Sequence, residues 1–262
     1  MSTREPRSPV PPPARRRTTI AALAASILCV TAAVGAPTAN ASANASENAS
    51  ANASEGSAER AAEGAAVLAI RGGATLYSGA ARCTVAFNVR DHAGATYGLT
   101  DGRCVASAKA TTWYADPGRT VPVGSTDRVS FPARNFALIR YTNPDVSYPG
   151  EVGPGGGGVI DVVGAASPVV GQSLCRVGEV AGWHCGTVQA VNVSVGYPEG
   201  AVTGLFRASL CQEAGSAGGA PAISGNTALG ITVGGSGDCR SGGTTYLQPV
   251  ITALAETGTR VY

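Results

Sequence analysis

The 262-residue chain has little charge and few aromatic residues, 14% and 5% of the sequence, and it contains only two histidines and one methionine. Its net charge is +2, and from Ile70 onward 13 basic residues stand against 12 acidic ones with no run of either sign. Nothing in that balance calls for nucleic acid or an anionic membrane as partner. The histidines are His92 and His184, and there is no Cys-x-x-Cys pair. Metal-ligand spacing is therefore missing, and neither a metal nor a cofactor is expected. The apolar run at residues 20–34 is too short and Ala-rich for a membrane span.

What the chain does have is 36 glycines and 16 prolines, a turn-heavy usage that favours many short strands. Three basic residues at 15–17, the apolar run and Ala39-Asn-Ala41 together form the pattern of a secretory signal peptide over residues 1–41. Leu28 before Cys29 does not fit a lipidation site. Residues 42–69 repeat Asn-Ala-Ser with almost no large apolar side chain. Such a segment cannot bury enough surface to offset the entropy of ordering, so it is expected to be a disordered linker.

Six cysteines follow the leader, an even count that implies disulfides in an exported chain. Fifteen connectivities are compatible with six cysteines, and spacing favours the sequential pairs Cys83 with Cys104, Cys175 with Cys185, and Cys211 with Cys239. Period-two alternation marks strands at Val85, Phe87 and Val89, at Val191, Val193 and Val195, and at Leu229, Ile231 and Val233. One helix is expected at the end, where Pro249 fits a first turn, Val250, Ile251 and Leu254 share a face, and Gly258 closes it. His92 in Asp91-His-Ala-Gly94 and His184 in the small disulfide loop are expected to be exposed loop histidines.

From Ile70 to the C-terminus the chain resembles the streptogrisin and alpha-lytic type of chymotrypsin-like serine protease. The resemblance is carried by Leu99-Thr-Asp-Gly-Arg103-Cys104, Asn135-Phe-Ala-Leu-Ile-Arg-Tyr141, Gly182-Trp-His-Cys-Gly186, Gly215-Ser-Ala217-Gly-Gly219, Gly234-Gly-Ser-Gly-Asp-Cys239 and Gly242-Gly-Thr-Thr-Tyr246. It implies an all-β fold of two six-stranded antiparallel β-barrels, at 70–160 and 161–262, the second ending in the short helix, with a cleft between them. It also implies that the base, orienting carboxylate and nucleophile positions are filled by Arg103, Asn135 and Ala217. A guanidinium cannot accept a proton near neutral pH, an amide carries no charge and a methyl group is no nucleophile.

The supporting positions change as well. Val233 stands where the family has a serine bonded to the carboxylate, and Ser216 where it has an aspartate paired with Arg176, which leaves Arg176 short of a partner unless Glu213 supplies one. The peptide-binding parts implied by the family remain: backbone N–H groups of Gly215 and Ala217 for an oxyanion hole, the strand Val233, Gly234, Gly235 and Ser236 for β-addition, and Ser209 and Leu210 at the start of a specificity pocket. With no acidic residue at that pocket, an apolar side chain fits best. Arg103 either offers its donors to an anion or folds onto Asp101. The expected protein is a secreted, monomeric, inactive protease homologue, free of the membrane once the signal is removed. It is expected to bind an extended peptide or a protein protease inhibitor. The alternatives are a secreted serine endopeptidase and a structural extracellular domain with no ligand.

Overall fold

In the computed structural model the described residues are 67–109, 111–153, 158–178, 182–212 and 215–262. The expected signal peptide, most of the expected linker and Glu213 lie outside them. Among the described residues pairing begins at Leu68, where the strand Leu68–Ala69 runs parallel to Val146–Ser147, so paired chain extends into the span expected to be linker.

Two sheets carry the fold, as the all-β double-barrel expectation requires. The first has the order Thr259–Val261, Phe87–Asp91, Thr96–Thr100, Phe136–Tyr141, Pro122–Ser130, Thr112–Tyr114, Thr75–Ser78, Ala81–Thr84. The second has the order Gly164–Ala165, Thr227–Asp238, Pro221–Ser224, Ser173–Gly178, Gly182–Tyr197, Gly200–Ala208, Gly242–Pro249, and it closes where Thr227–Asp238 also pairs with Gly242–Pro249. The counts are eight and seven rather than six and six, because short pieces such as Gly164–Ala165 extend the ladders.

One strand crosses the expected boundary. Thr259–Val261 pairs antiparallel with Phe87–Asp91, returning the C-terminus to the first sheet. Gly258, at φ 67°, ends the preceding helix in the left-handed region and turns the chain. Tyr262 then lies under the Arg90 guanidinium at 4.1 Å.

There are two helices among the described residues, where one was expected. α2, Val250–Thr257, follows Pro249 as expected and buries Val250 and Ala253. α1, Gly102–Ala108, is the addition. It forms because the Asp101 side chain accepts the Cys104 N–H, capping an Ala-containing segment that Lys109 ends at φ 53°.

The first barrel is filled by Leu76, Val85, Trp113, Val123 and Ile139, the second by Leu174, Val188, Phe206, Leu229 and Leu247. A third cluster joins Phe87, Leu99 and Phe136 of the first sheet to Val177, Ile223 and Ile231 of the second, so the barrels share a core. All three sequential disulfides are formed.

Candidate functional site

A cleft of about 570 Å³ opens between α1 and the second sheet. Its α1 wall is built from the cap upward. Asp101 is 4% exposed, and its Oδ1 accepts the Cys104 N–H at 2.9 Å. The Cys104 to Cys83 disulfide ties α1 to the strand Ala81–Thr84. Arg103 leaves the first turn into the cleft; its backbone N–H donates to Asn135 Oδ1 at 2.7 Å, and the Asn135 N–H donates in turn to Gln248 Oε1 at 3.1 Å. Asn135 is fully buried. The Arg103 guanidinium lies over the Tyr197 ring at 4.8 Å rather than folding onto Asp101 as an ion pair. Tyr197 meets Phe131 edge-on at 5.7 Å and donates its hydroxyl to the Val233 carbonyl at 3.3 Å.

The opposite wall is made by Ser216, Gly218, Val233, Gly234 and Gly235, with Gln212 and Glu199 completing the lining. Arg82 Nη2 donates to the Gly215 carbonyl at 2.6 Å, and the Thr84 N–H donates to the Gly218 carbonyl at 2.8 Å, so the first barrel holds this loop at both ends. Gly219 sits at φ 103°, where a Cβ would run into the Thr84 carbonyl, so only glycine allows this approach. Ala217, between Ser216 and Gly218, is buried.

Among the described residues, Gly234, Gly235 and Ser236 pair only with Thr244, Thr245 and Tyr246, so the other edge of the strand has no ladder partner. The Gln212 carboxamide lies against Gly235, where a Cβ would meet its Oε1 at 2.7 Å.

Asp101 is the electrostatic feature of the site. Burial pushes its carboxyl up to about 7, against the opposing pull of the Cys104 and Arg103 N–H groups, the Arg103 charge and the Asn135 side chain. Near neutral pH the group is therefore divided between charged and neutral forms. Burial also raises the Tyr197 phenol, helped by the Asp101 charge.

The structure brings Arg103, Asn135 and the loop bearing Ala217 to one place, and Val233, Gly234 and Gly235 to the same cleft. Ser209 and Leu210 do not line it. The Thr187 N–H donates to Ser209 Oγ at 3.0 Å, and Leu210 is buried in the second barrel. No imidazole lines the cleft: His92 is exposed in its hairpin turn, as expected, whereas His184 stands in the strand Gly182–Tyr197 opposite Arg176. The expected loop placement of His184 fails because Arg176, Val177 and Gly178 pair in register with His184, Trp183 and Gly182. His184, Cys211 and Cys239 converge, but both sulfurs are spent in their disulfide.

Arg176, expected to be short of a partner, is 1% exposed and donates from Nη2 to the Cys211 carbonyl at 2.9 Å. Its charge is thus engaged by a backbone oxygen. Phe131, Tyr197, Glu199 and Gln212 were not anticipated, since they reach the cleft from loops and a hairpin tip distant in sequence.

No protein-family model matches the chain. It is 43% identical over 178 residues to Serine protease 2 of Streptomyces fradiae, covering 67% of this chain and 100% of that protein. The chain belongs to the streptogrisin-type serine proteases. It is also 43% identical over 183 residues to Streptogrisin-C of Streptomyces griseus, covering 69% of this chain and 38% of that longer protein. Among solved structures, Alpha-lytic protease homolog N4 matches at 56% identity and a TM-score of 0.69, covering 74% of this chain and all of that one. The streptogrisin-type fold accounts for the cleft's position between two barrels.

Proposed function

We propose that this streptogrisin-type protein is a secreted pseudoprotease, catalytically inactive, that binds extended peptides or protease inhibitors in the cleft between its barrels. The observation that carries the reading is the corner where the Arg103 N–H meets Asn135, beside the loop of Ala217. A working triad needs a hydroxyl or thiol, a base of near-neutral pKa and a buried carboxylate to orient it. At the matching positions this chain offers a methyl group, a permanent cation and an amide, and both of its histidines lie off the cleft. The three roles act as a unit, and losing them together costs about 10⁶ in turnover in a comparable enzyme.

Support for binding comes from the strand edge at Gly234, Gly235 and Ser236, which is open to β-addition. Export is supported by three disulfides, which belong to oxidising compartments. No helix among the described residues is long and apolar enough to cross a membrane. One copy carries both walls of the cleft, which supports a monomer as the binding unit.

The test pairs a serine-directed fluorophosphonate with calorimetry on blocked peptides. The expected result is no covalent label, no cleavage and one-to-one peptide binding. Stoichiometric labelling would make the protein an endopeptidase. Absence of both label and peptide affinity would make it a structural domain.

A further inference from the structure

We propose that the cleft selects extended peptides bearing an acidic side chain, with Arg103 as the residue that receives the carboxylate; this rests on the peptide-binding reading above. Arg103 is exposed at the cleft wall, yet its guanidinium is held in place by the Tyr197 ring at 4.8 Å. That contact gives its N–H groups no oxygen acceptor, so their fork of donors remains to match a carboxylate. Among the described residues that guanidinium donates no hydrogen bond to the protein. Arg82, Arg119 and Arg128 differ, each donating to a backbone carbonyl.

Geometry decides which part of a ligand reaches it. The open edge at Gly234, Gly235 and Ser236 belongs to the second barrel, whereas Arg103 rises from α1 on the first. A peptide paired to that edge keeps its main chain on the second barrel and crosses to Arg103 only with a side chain. Side chains of an extended peptide face one wall every second residue, roughly 6.6 Å apart, so a single position is selected.

Two acidic groups share the lining, and they set the conditions. Glu199 is exposed in the turn between the strands Gly182–Tyr197 and Gly200–Ala208, and it opposes an incoming anion. Asp101 is buried below, with Oδ1 engaged by the Cys104 N–H. Because burial raises its carboxyl to about 7, it loses its charge as pH falls below neutrality and then no longer competes for Arg103. The other groups facing it, Asn135 and the Tyr197 phenol, are neutral across that range. Carboxylate affinity therefore rises as pH falls from 8 to 6.

The experiment is calorimetry of the full chain with acetylated, amidated hexa-alanine peptides in which glutamate, glutamine or lysine is moved through the six positions. At pH 6 one glutamate position is expected to bind about three- to tenfold tighter than its glutamine counterpart, with a smaller advantage at pH 8. Arg103→Ala removes the advantage and Arg103→Lys keeps part of it. Glu199→Gln enlarges it, and Asp101→Asn, which retains a capping side chain, makes it equal at the two pH values. Equal binding of glutamate and glutamine at all six positions, tighter binding of lysine, or a preference that survives Arg103→Ala overturns the proposal while leaving a peptide groove. Failure of every peptide to bind removes the groove itself.

Discussion

Asp101 combines two roles that pull in opposite directions. Its side chain caps α1, which favours a carboxylate at the helix N-terminus, while burial disfavours the charge. With the folded carboxyl near 7 and an ordinary value of 3.8, the native state holds the proton more tightly than the unfolded chain. Folding stability then falls as pH rises from about 4 to about 7. Asparagine caps equally well and carries no charge, so Asp101→Asn is predicted to be more stable than the native chain at pH 8 by about 2–4 kcal/mol, with no difference below pH 4. Thermal unfolding across that range measures it, and a lower melting temperature for the variant at pH 8 would show that the carboxylate is stabilised as an anion. At position 217 the expectation is negative. Ala217→Ser adds a hydroxyl with no imidazole near it, so neither fluorophosphonate labelling nor peptide hydrolysis above the uncatalysed rate is expected. Measurable turnover from this single change would reveal another base in the cleft.

At the scale of elements, the first barrel depends on side chains that bond across strands. Asn88 is 2% exposed; its Nδ2 donates to the Ile70 and Pro149 carbonyls at 2.7 Å each, and its Oδ1 accepts the Tyr141 hydroxyl at 2.9 Å. Asn88→Ala leaves three polar groups unmatched, two of them buried, and is predicted to cost about 2–4 kcal/mol, read from urea unfolding. A loss below 1 kcal/mol would mean that water replaces the amide. The alternation of Val85, Phe87 and Val89 marks a strand and does not reveal this role for Asn88, which stands between two of them. Period two is a guide when one face of a sheet meets water, and here the strand Phe87–Asp91 is covered on both faces. α1 escaped the sequence reading for a different reason. Seven residues lie below the length at which apolar periodicity is recognisable, and the cap at Asp101 acquires meaning only beside a helix.

Across the whole molecule, the shared cluster from Phe87 to Ile231 and the C-terminal strand Thr259–Val261 join the barrels. Neither barrel can expose its share of that core without unfolding the other. Calorimetry with the disulfides intact is predicted to give one transition, with van't Hoff and calorimetric enthalpies in a ratio of about 1; two resolved transitions would show the barrels to be independent. Reduction should lower the midpoint, since each disulfide closes a loop contributing about 3 kcal/mol in the chain-entropy model.

Local chemistry pointed to the all-β class, favoured the sequential disulfide pairs among fifteen connectivities, and marked the terminal helix between Pro249 and Gly258 and the residue types standing at Arg103, Asn135 and Ala217. Each of these depends on spacing along the chain or on the intrinsic chemistry of a side chain, both of which are written in the order of residues. Tertiary structure alone decided that Arg103 lies over the Tyr197 ring, that Arg176 donates to the Cys211 carbonyl, that Thr259–Val261 returns to the first sheet and that Asp101 is buried deeply enough to hold its proton near neutrality. These are consequences of groups far apart in sequence meeting in a space from which water is excluded, where the energy of a charge or a donor depends on what surrounds it.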